Sequence, residues 1–170
     1  AMFFMSFLYQ GFTSFYPTYL ITMKHLPEPT AALVYSAFFA TGIVIQPLGG
    51  AFADSLGERP TMIALSLLSA IGLGLLLVVQ GFWSLIAITL LLSTQLGFWP
   101  VAQAAIIDAI PTDMQGTGFG FVRTSYLMLS APASTIVGAL GNRGLMNEAF
   151  LLLAACALGC ALVVLLFLEN

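Results

Sequence analysis

The chain has 170 residues, of which 60% are hydrophobic and 6% are charged, and its formal net charge is −3. Soluble globular domains carry about 25% charged residues, so this composition, with a mean hydropathy of +1.04, excludes that class. We therefore expect a lipid bilayer as its solvent, and no nucleic acid as a partner.

Charge-free runs predict the membrane-spanning helices in chain order. A helix needs roughly 20 mostly apolar residues to cross a hydrocarbon layer of about 30 Å. Strands of a membrane barrel would instead be about ten residues long, with alternating polarity. The predicted fold is all-α: a polytopic membrane protein forming a single six-helix bundle over residues 1–170, with both ends on one side. The runs lie at residues 1–23, 29–53, 60–107 (two helices, divided at 80–83), 116–142 and 149–168.

Polarity varies among the six spans in a repeating order. The first, second, fourth and fifth spans each contain an internal proline that could bend the helix: Pro17, Pro47, Pro100 and Pro132. Polar side chains also concentrate there, and they avoid lipid. We expect these four helices to surround a cavity and the third and sixth to face lipid. This order occurs in residues 1–80 and again in 81–170, which predicts a 3+3 inverted repeat, a pattern typical of secondary transporters.

Charged residues cluster in one short segment between the second and third spans, GGAFADSLGERP at residues 49–60. Asp54 follows directly on a membrane helix, where an unpaired carboxylate is costly. Arg59 or the N-terminus of a neighbouring helix could pair with it. Two interpretations remain: an ionic latch that opens and closes with conformation, or a solvated loop at the membrane boundary.

This segment resembles the signature loop of the major facilitator superfamily. The matching residues are Gly50, Asp54, Gly57 and Arg59. Ser55 and Glu58 depart from the pattern, since the family often has basic residues there. The similarity extends to GFTSFYPTYL at residues 11–20 and to residues 108–120, so it covers nearly the whole chain.

The resemblance implies a function and a topology. In the family this loop is cytoplasmic and lies between the second and third helices of each six-helix half, with a weakened copy in the second half. We therefore expect helices seven to twelve of a longer, twelve-helix transporter in the plasma membrane, with the N-terminal half as partner. Both ends of the segment and the loop at 54–59 would be cytoplasmic. The expected activity is secondary transport of a small solute by alternating access, with the latch closing the cytoplasmic side in one state.

Two sets of polar residues are candidates for the substrate path. Gln95, Trp99 and Gln103 are spaced by four residues, so they line one face of an α-helical fourth span. The candidates in the first span are Gln10, Thr13, Ser14 and Tyr16. Hydrogen bonding between helices uses the same residue types and is the alternative interpretation.

Arg123 is the one basic residue inside a predicted span. It lies seven residues beyond Gly116, roughly 10 Å into the membrane at 1.5 Å per residue. It could bind an anionic substrate or a carboxylate of the missing half. It could equally stabilise the preceding loop by pairing with Asp108 or Asp113.

Other function classes are less consistent with the sequence. The single histidine, His25, lies in a loop, and no nucleophile–base pair or metal-binding cluster occurs within the spans. We therefore predict no enzymatic activity, cofactor or metal site. A non-transporting signalling or assembly subunit on the same scaffold is the alternative function, and solute flux distinguishes the two.

Overall fold

The computed structural model describes residues 1–168, and every regular element in that range is a helix. The all-α prediction is confirmed. In chain order the elements are α1 (Met2–Thr22), α2 (Glu28–Leu56), α3 (Glu58–Val78), α4 (Phe82–Leu92), a 3₁₀ helix (Ser93–Gly97), α5 (Phe98–Asp108), α6 (Gln115–Ser130), α7 (Pro132–Asn142) and α8 (Met146–Phe167).

These elements form six consecutive passes. The fourth pass consists of α4, the 3₁₀ helix and α5, and the fifth consists of α6 and α7, separated only by Ala131. Four passes are long and apolar enough to cross a membrane: α2, α3, the fourth pass and α8. Within the described residues, α1 is not one of these apolar spans, because its amide and hydroxyl side chains lower its mean hydropathy. The fifth pass is also outside that group, because it is divided into helices of 16 and 11 residues.

The core of the bundle is centred on α1. This helix packs against α2, α6, α7 and α8. Phe12 stacks on Tyr16 and also contacts Phe38 of α2 and Phe150 of α8, and all four side chains are fully buried. Burial of aromatic side chains is among the largest contributions to packing, so α1 holds these four helices together.

The third and sixth passes, α3 and α8, pack against each other more extensively than any other pair. Inside the contact, the Ser66 hydroxyl lies 3.4 Å from the sulfur of Cys160. The outward face of the pair is apolar, as contact with lipid requires. Its exposed side chains include Leu67, Ile71, Leu75, Leu158, Leu162 and Leu166.

Two basic residues stabilise the carboxyl ends of this antiparallel pair. Lys24 is buried and donates hydrogen bonds from Nζ to the carbonyl oxygens of Leu77 (3.1 Å) and Val79 (2.8 Å) at the end of α3. Burial in this loop lowers the pKa of Lys24. At the other end of the bundle, Arg59 donates to the carbonyl oxygen of Leu165 in the last turn of α8, at 2.7 Å. A cation at a helix C-terminus complements its partial negative charge.

Only Gly57 separates α2 from α3. Its φ of 96° lies in the left-handed region, which glycine adopts without steric cost. Its N–H donates to the carbonyl oxygen of Ala53 at 2.8 Å, closing the last turn of α2. The signature-loop glycine therefore makes the tightest connection between two passes.

Candidate functional site

The fourth pass is interrupted at its centre by the 3₁₀ helix. Ser93 and Gly97 both have ψ of −17°, compared with about −42° in an α-helix. The Ser93 and Thr94 hydroxyls each donate to a carbonyl oxygen three residues earlier, at 2.7 Å. Pro100 lacks an N–H, and its ring clashes with the carbonyl four residues earlier in a regular α-helix. The local sequence therefore explains the break.

α2 crosses the fourth pass closely at this break. A Cβ atom at Gly49 would lie 2.6 Å from the carbonyl oxygen of Gly97 and 3.0 Å from its Cα. Gly42, two turns earlier on α2, faces the side chain of Leu96. Small residues allow this approach of two membrane helices.

Gln95 lies in the 3₁₀ helix and points into the core. Its side chain is 0% exposed, and neither Oε1 nor Nε2 has a hydrogen-bond partner among residues 1–168. A buried amide without a partner is unusual and costs free energy of folding. The 3₁₀ turn removes Gln95 from the face that it would share with Trp99 and Gln103 in a continuous α-helix.

A cavity of about 300 Å³ opens between α1, α5 and α6. It lies in the half of the bundle nearer to Gly57, since Gln103 is five residues before the end of α5 and Arg123 is eight residues after the start of α6. Eight residues line it: Ser6, Tyr9, Gln10, Trp99, Gln103, Arg123, Tyr126 and Leu127.

A hydrogen-bonded cluster joins α1 to α6 beside this cavity. Gln10 donates from Nε2 to the hydroxyl of Ser130 at 2.6 Å and to that of Ser6 at 3.3 Å. The two serine hydroxyls are 2.7 Å apart. Gln10 therefore links the first pass to the fifth, and its Oε1 remains available as an acceptor.

Aromatic rings form one wall of the cavity. Trp99 meets Tyr9 edge-on, with ring centroids 5.7 Å apart, and Tyr126 at 6.2 Å with an interplanar angle of 31°. All three rings line the cavity. Flat apolar surfaces with amide and hydroxyl groups beside them can bind small organic molecules.

Arg123 is the one charged residue in the cavity lining of the described chain. Within residues 1–168 it makes no hydrogen bond or ion pair, so it is paired with neither Asp108 nor Asp113. The described acids lie at helix ends or in loops, at Glu28, Asp54, Glu58, Asp108, Asp113 and Glu148. Glu169 lies outside the described residues. The lining therefore carries positive charge only.

The structure brings together half of the predicted substrate-path residues. Gln10, Trp99, Gln103 and Arg123 share the cavity, whereas Gln95 is buried elsewhere. The other three also lie outside the cavity lining. Thr13 bonds to the carbonyl oxygen of Tyr9, Tyr16 bonds to the hydroxyl of Thr89, and Ser14 is exposed.

The sequence did not single out Ser6, Tyr126 or Leu127, which line this cavity. Ser6 lies one helical turn before Gln10, which was a usable signal. Tyr126 and Leu127 gave none, because only the packing of the fifth pass on the first places them at the cavity.

The signature-loop residues lie at the end of the bundle nearest this cavity. Asp54 is exposed in the last turn of α2, Gly57 forms the turn, and Gly50 has open space where a Cβ would lie. Arg59 contacts Leu165 as described above. A second cavity of about 720 Å³, mostly apolar in its lining, lies beside them between the ends of α2, α3, α5 and α8.

The four prolines differ in their local structure. Pro17 and Pro47 lie inside the uninterrupted helices α1 and α2. Pro100 follows the 3₁₀ helix, and Pro132 is the first residue of α7. Breaks in regular helix therefore coincide with the prolines of the fourth and fifth passes.

A bundle of apolar helices with a polar and aromatic cavity is the architecture of membrane transport proteins. The family model described as Major Facilitator Superfamily matches residues 1–170. The chain belongs to the major facilitator superfamily, a family of membrane transporters rather than enzymes.

Curated relatives are distant and longer. The multidrug resistance protein MdtG of Yersinia enterocolitica is 27% identical over 76% of this chain and 31% of its own length. The multi-drug resistance efflux pump PmrA of Streptococcus pneumoniae is 27% identical over 82% of this chain and 35% of its own. MdtG of Erwinia billingiae is 25% identical over 89% and 38%. The chain thus spans about a third of these relatives' length. No solved structure matches it.

Proposed function

We propose that the chain is one six-helix half of a secondary transporter that moves small organic molecules by alternating access. The observation that carries the proposal is the convergence of Gln10, Trp99, Gln103 and Arg123, from three helices, on one cavity in a member of this family. Amide, indole and guanidinium groups provide hydrogen bonding, stacking and charge for a solute.

We further propose that the six passes are helices seven to twelve of a transporter and form a 3+3 inverted repeat. The weakened signature loop and the order of polar and apolar passes support this assignment. In this arrangement the loop and both ends of the segment are cytoplasmic and the membrane is the plasma membrane. The N-terminal half then covers the exposed faces of α2 and α6 and completes the cavity.

For the substrate, we propose apolar, ring-containing organic compounds that are exported from the cell. Relatives named for multidrug resistance and efflux support this class. The rings of Tyr9, Trp99 and Tyr126 give a surface on which flat compounds of different shape can stack. Stacking tolerates variation in the substrate more readily than directional hydrogen bonding does.

The two tryptophans of the chain provide the test. Trp99 lines the cavity, whereas Trp83 is 80% exposed at the start of α4, near the opposite end of the bundle. Efflux of a fluorescent aromatic compound is measured in cells that lack their own pumps, at equal protein level. We expect Trp99→Ala to lower efflux roughly tenfold, the loss typical of a buried aromatic anchor, and Trp83→Ala to leave it unchanged. Equal efflux by both variants would contradict the proposed site.

We also propose that the loop forms a conformational latch. In this proposal Asp54 pairs with Arg59 or with a helix N-terminus when the cytoplasmic side is closed, while Gly50 and Gly57 give the loop its shape. The position of Asp54 at a helix end near the cavity supports it. We expect Asp54→Asn to reduce transport at equal protein level, and Asp113→Asn, in an exposed loop outside the motif, to have no effect. Wild-type transport by Asp54→Asn would exclude the latch.

A further inference from the structure

The fourth pass combines two features that a stable membrane helix avoids. Its centre is a 3₁₀ helix of five residues, Ser93–Gly97. Such segments inside longer helices often mark functional hinges. The same segment contains Gln95, a fully buried amide without a hydrogen-bond partner in the part of the chain that the structure describes. Both features raise the free energy of the present conformation.

One local change removes both. A 3₁₀ helix turns about 120° and rises about 2.0 Å per residue, and an α-helix turns about 100° and rises about 1.5 Å. Conversion of the five residues to α-helix therefore rotates α4 relative to α5 by roughly 100° and shortens the pass by roughly 2.5 Å. In a continuous α-helix Gln95 lies one turn before Trp99 and two turns before Gln103, on the same face.

We propose that Gln95 is a state-dependent residue of the cavity. In the present conformation the 3₁₀ helix turns its amide into the core, and in a second conformation Ser93–Gly97 becomes α-helical and turns the amide toward the cavity, in line with Trp99 and Gln103. There it hydrogen-bonds to water or to the solute. The role toward a solute rests on the proposed transport function, but the rewinding itself does not.

The packing around the segment suits such a movement. The backbones of Gly49 and Gly97 are in direct contact, so no side chain on either residue interlocks the two helices at the crossing. The helices on both sides of the segment are already α-helical, since α4 ends at Leu92 and α5 begins at Phe98. The change of helix type is therefore confined to Ser93–Gly97, while α4 and α5 move relative to each other as intact helices.

Thiol labelling tests the rewinding without any transport measurement. The two native cysteines, Cys156 and Cys160, are first replaced by alanine in the full chain. Gln95→Cys, Gln103→Cys and Leu73→Cys are then treated in membranes with a small water-soluble methanethiosulfonate. Gln103 lines the cavity and serves as the accessible control, and Leu73, buried in α3, serves as the inaccessible one.

We expect Gln95→Cys to be labelled more slowly than Gln103→Cys and faster than Leu73→Cys. The ratio to Gln103→Cys gives the population of the rewound state, which for a minor conformer is roughly 0.1–10%. Labelling of Gln95→Cys at the rate of Leu73→Cys would overturn the proposal, because the amide would then never reach the cavity.

A pair of leucine substitutions separates the effect of the Gln95 amide on stability from its effect on transport. Gln95→Leu removes the unpartnered amide, so we expect its melting temperature in detergent to rise by roughly 2–4 °C while transport falls. Gln103 already lines the cavity, so Gln103→Leu should lower transport without raising the melting temperature. A lower melting temperature for Gln95→Leu would overturn the proposal, since the amide would then be stabilising where it lies. If the wild-type protein moves no solute, the transport proposal fails, and labelling and melting still decide the rewinding.

Discussion

The α3–α8 pair and the fourth pass differ in how each treats its polar groups. In the pair both helices are uninterrupted, the Ser69 hydroxyl donates to the carbonyl oxygen of Leu65, and Ser66 donates to Cys160. In the fourth pass the α-helix is broken for five residues, and the Gln95 amide has no hydrogen-bond partner among the described residues. The α3–α8 pair thus forms hydrogen bonds to its polar groups locally and exposes an apolar face. The fourth pass instead retains a polar side chain, the Gln95 amide, whose hydrogen bonds are not satisfied by the described residues.

This difference suggests a division of roles within the bundle. The helices that satisfy all internal hydrogen bonds have little to gain from a second conformation, whereas the fourth pass gains a hydrogen bond by moving. Stability is therefore expected to reside in α3 and α8, and conformational change in the fourth pass. The following substitutions test that division, from the largest expected effect to the smallest.

The contact between α2 and the fourth pass should be the most sensitive to added volume. In Gly49→Ala the new methyl group would lie 2.6 Å from the carbonyl oxygen of Gly97, a backbone atom that cannot rotate away. We expect a loss of about 1–3 kcal/mol in the free energy of unfolding, as for other overpacked sites, measured by denaturant titration in mixed micelles. Gly74→Ala on α3 is the control, because nothing lies within 4 Å of its added Cβ. Equal stability of the two variants would contradict the close contact.

The contact between the buried Lys24 and the end of α3 should be next in sensitivity to substitution. Lys24→Met removes the donor to the carbonyl oxygens of Leu77 and Val79 and the charge at the helix terminus. We expect a loss of about 1–2 kcal/mol, since hydrogen bonds from a charged group exceed neutral ones. Arg143→Met provides a charge-matched control in an exposed loop at the same end of the bundle. If both substitutions change the unfolding midpoint equally, net charge rather than capping is responsible.

Within the α3–α8 contact a single weak hydrogen bond should matter little. Ser66→Ala removes the 3.4 Å contact with the sulfur of Cys160 but leaves the apolar packing in place. We expect a change of about 0.5 kcal/mol or less, because the alanine and the thiol remain compatible. Ser36→Ala, exposed on α2, measures the background of a serine replacement. A loss above about 2 kcal/mol would indicate that the pair depends on polar contacts rather than on packing.

Sequence alone predicted the passes well because hydrophobic length is a local property. The charge-free runs and the helix ends agree within three residues. The spacing of Trp99 and Gln103 predicted that they share one helix face, and both residues line the cavity; their role toward a substrate stays a prediction.

Features that depend on tertiary contacts could not be predicted. The i, i+4 rule assumes a continuous α-helix, so the 3₁₀ helix removed Gln95 from its expected face. The bond between Ser6 and Ser130 joins residues 124 positions apart. The close approach of Gly49 to Gly97 depends on which helices cross, and neither sequence segment indicates that.

The turn at Gly57 has a mechanical consequence. A linker of one residue leaves α2 and α3 almost no freedom to separate at that end, so a tilt of α2 displaces the start of α3 with it. Arg59 follows two residues later and contacts Leu165, which extends the same displacement to α8. Linker length, independent of any charge in the loop, thereby determines which helices of the bundle shift as one body.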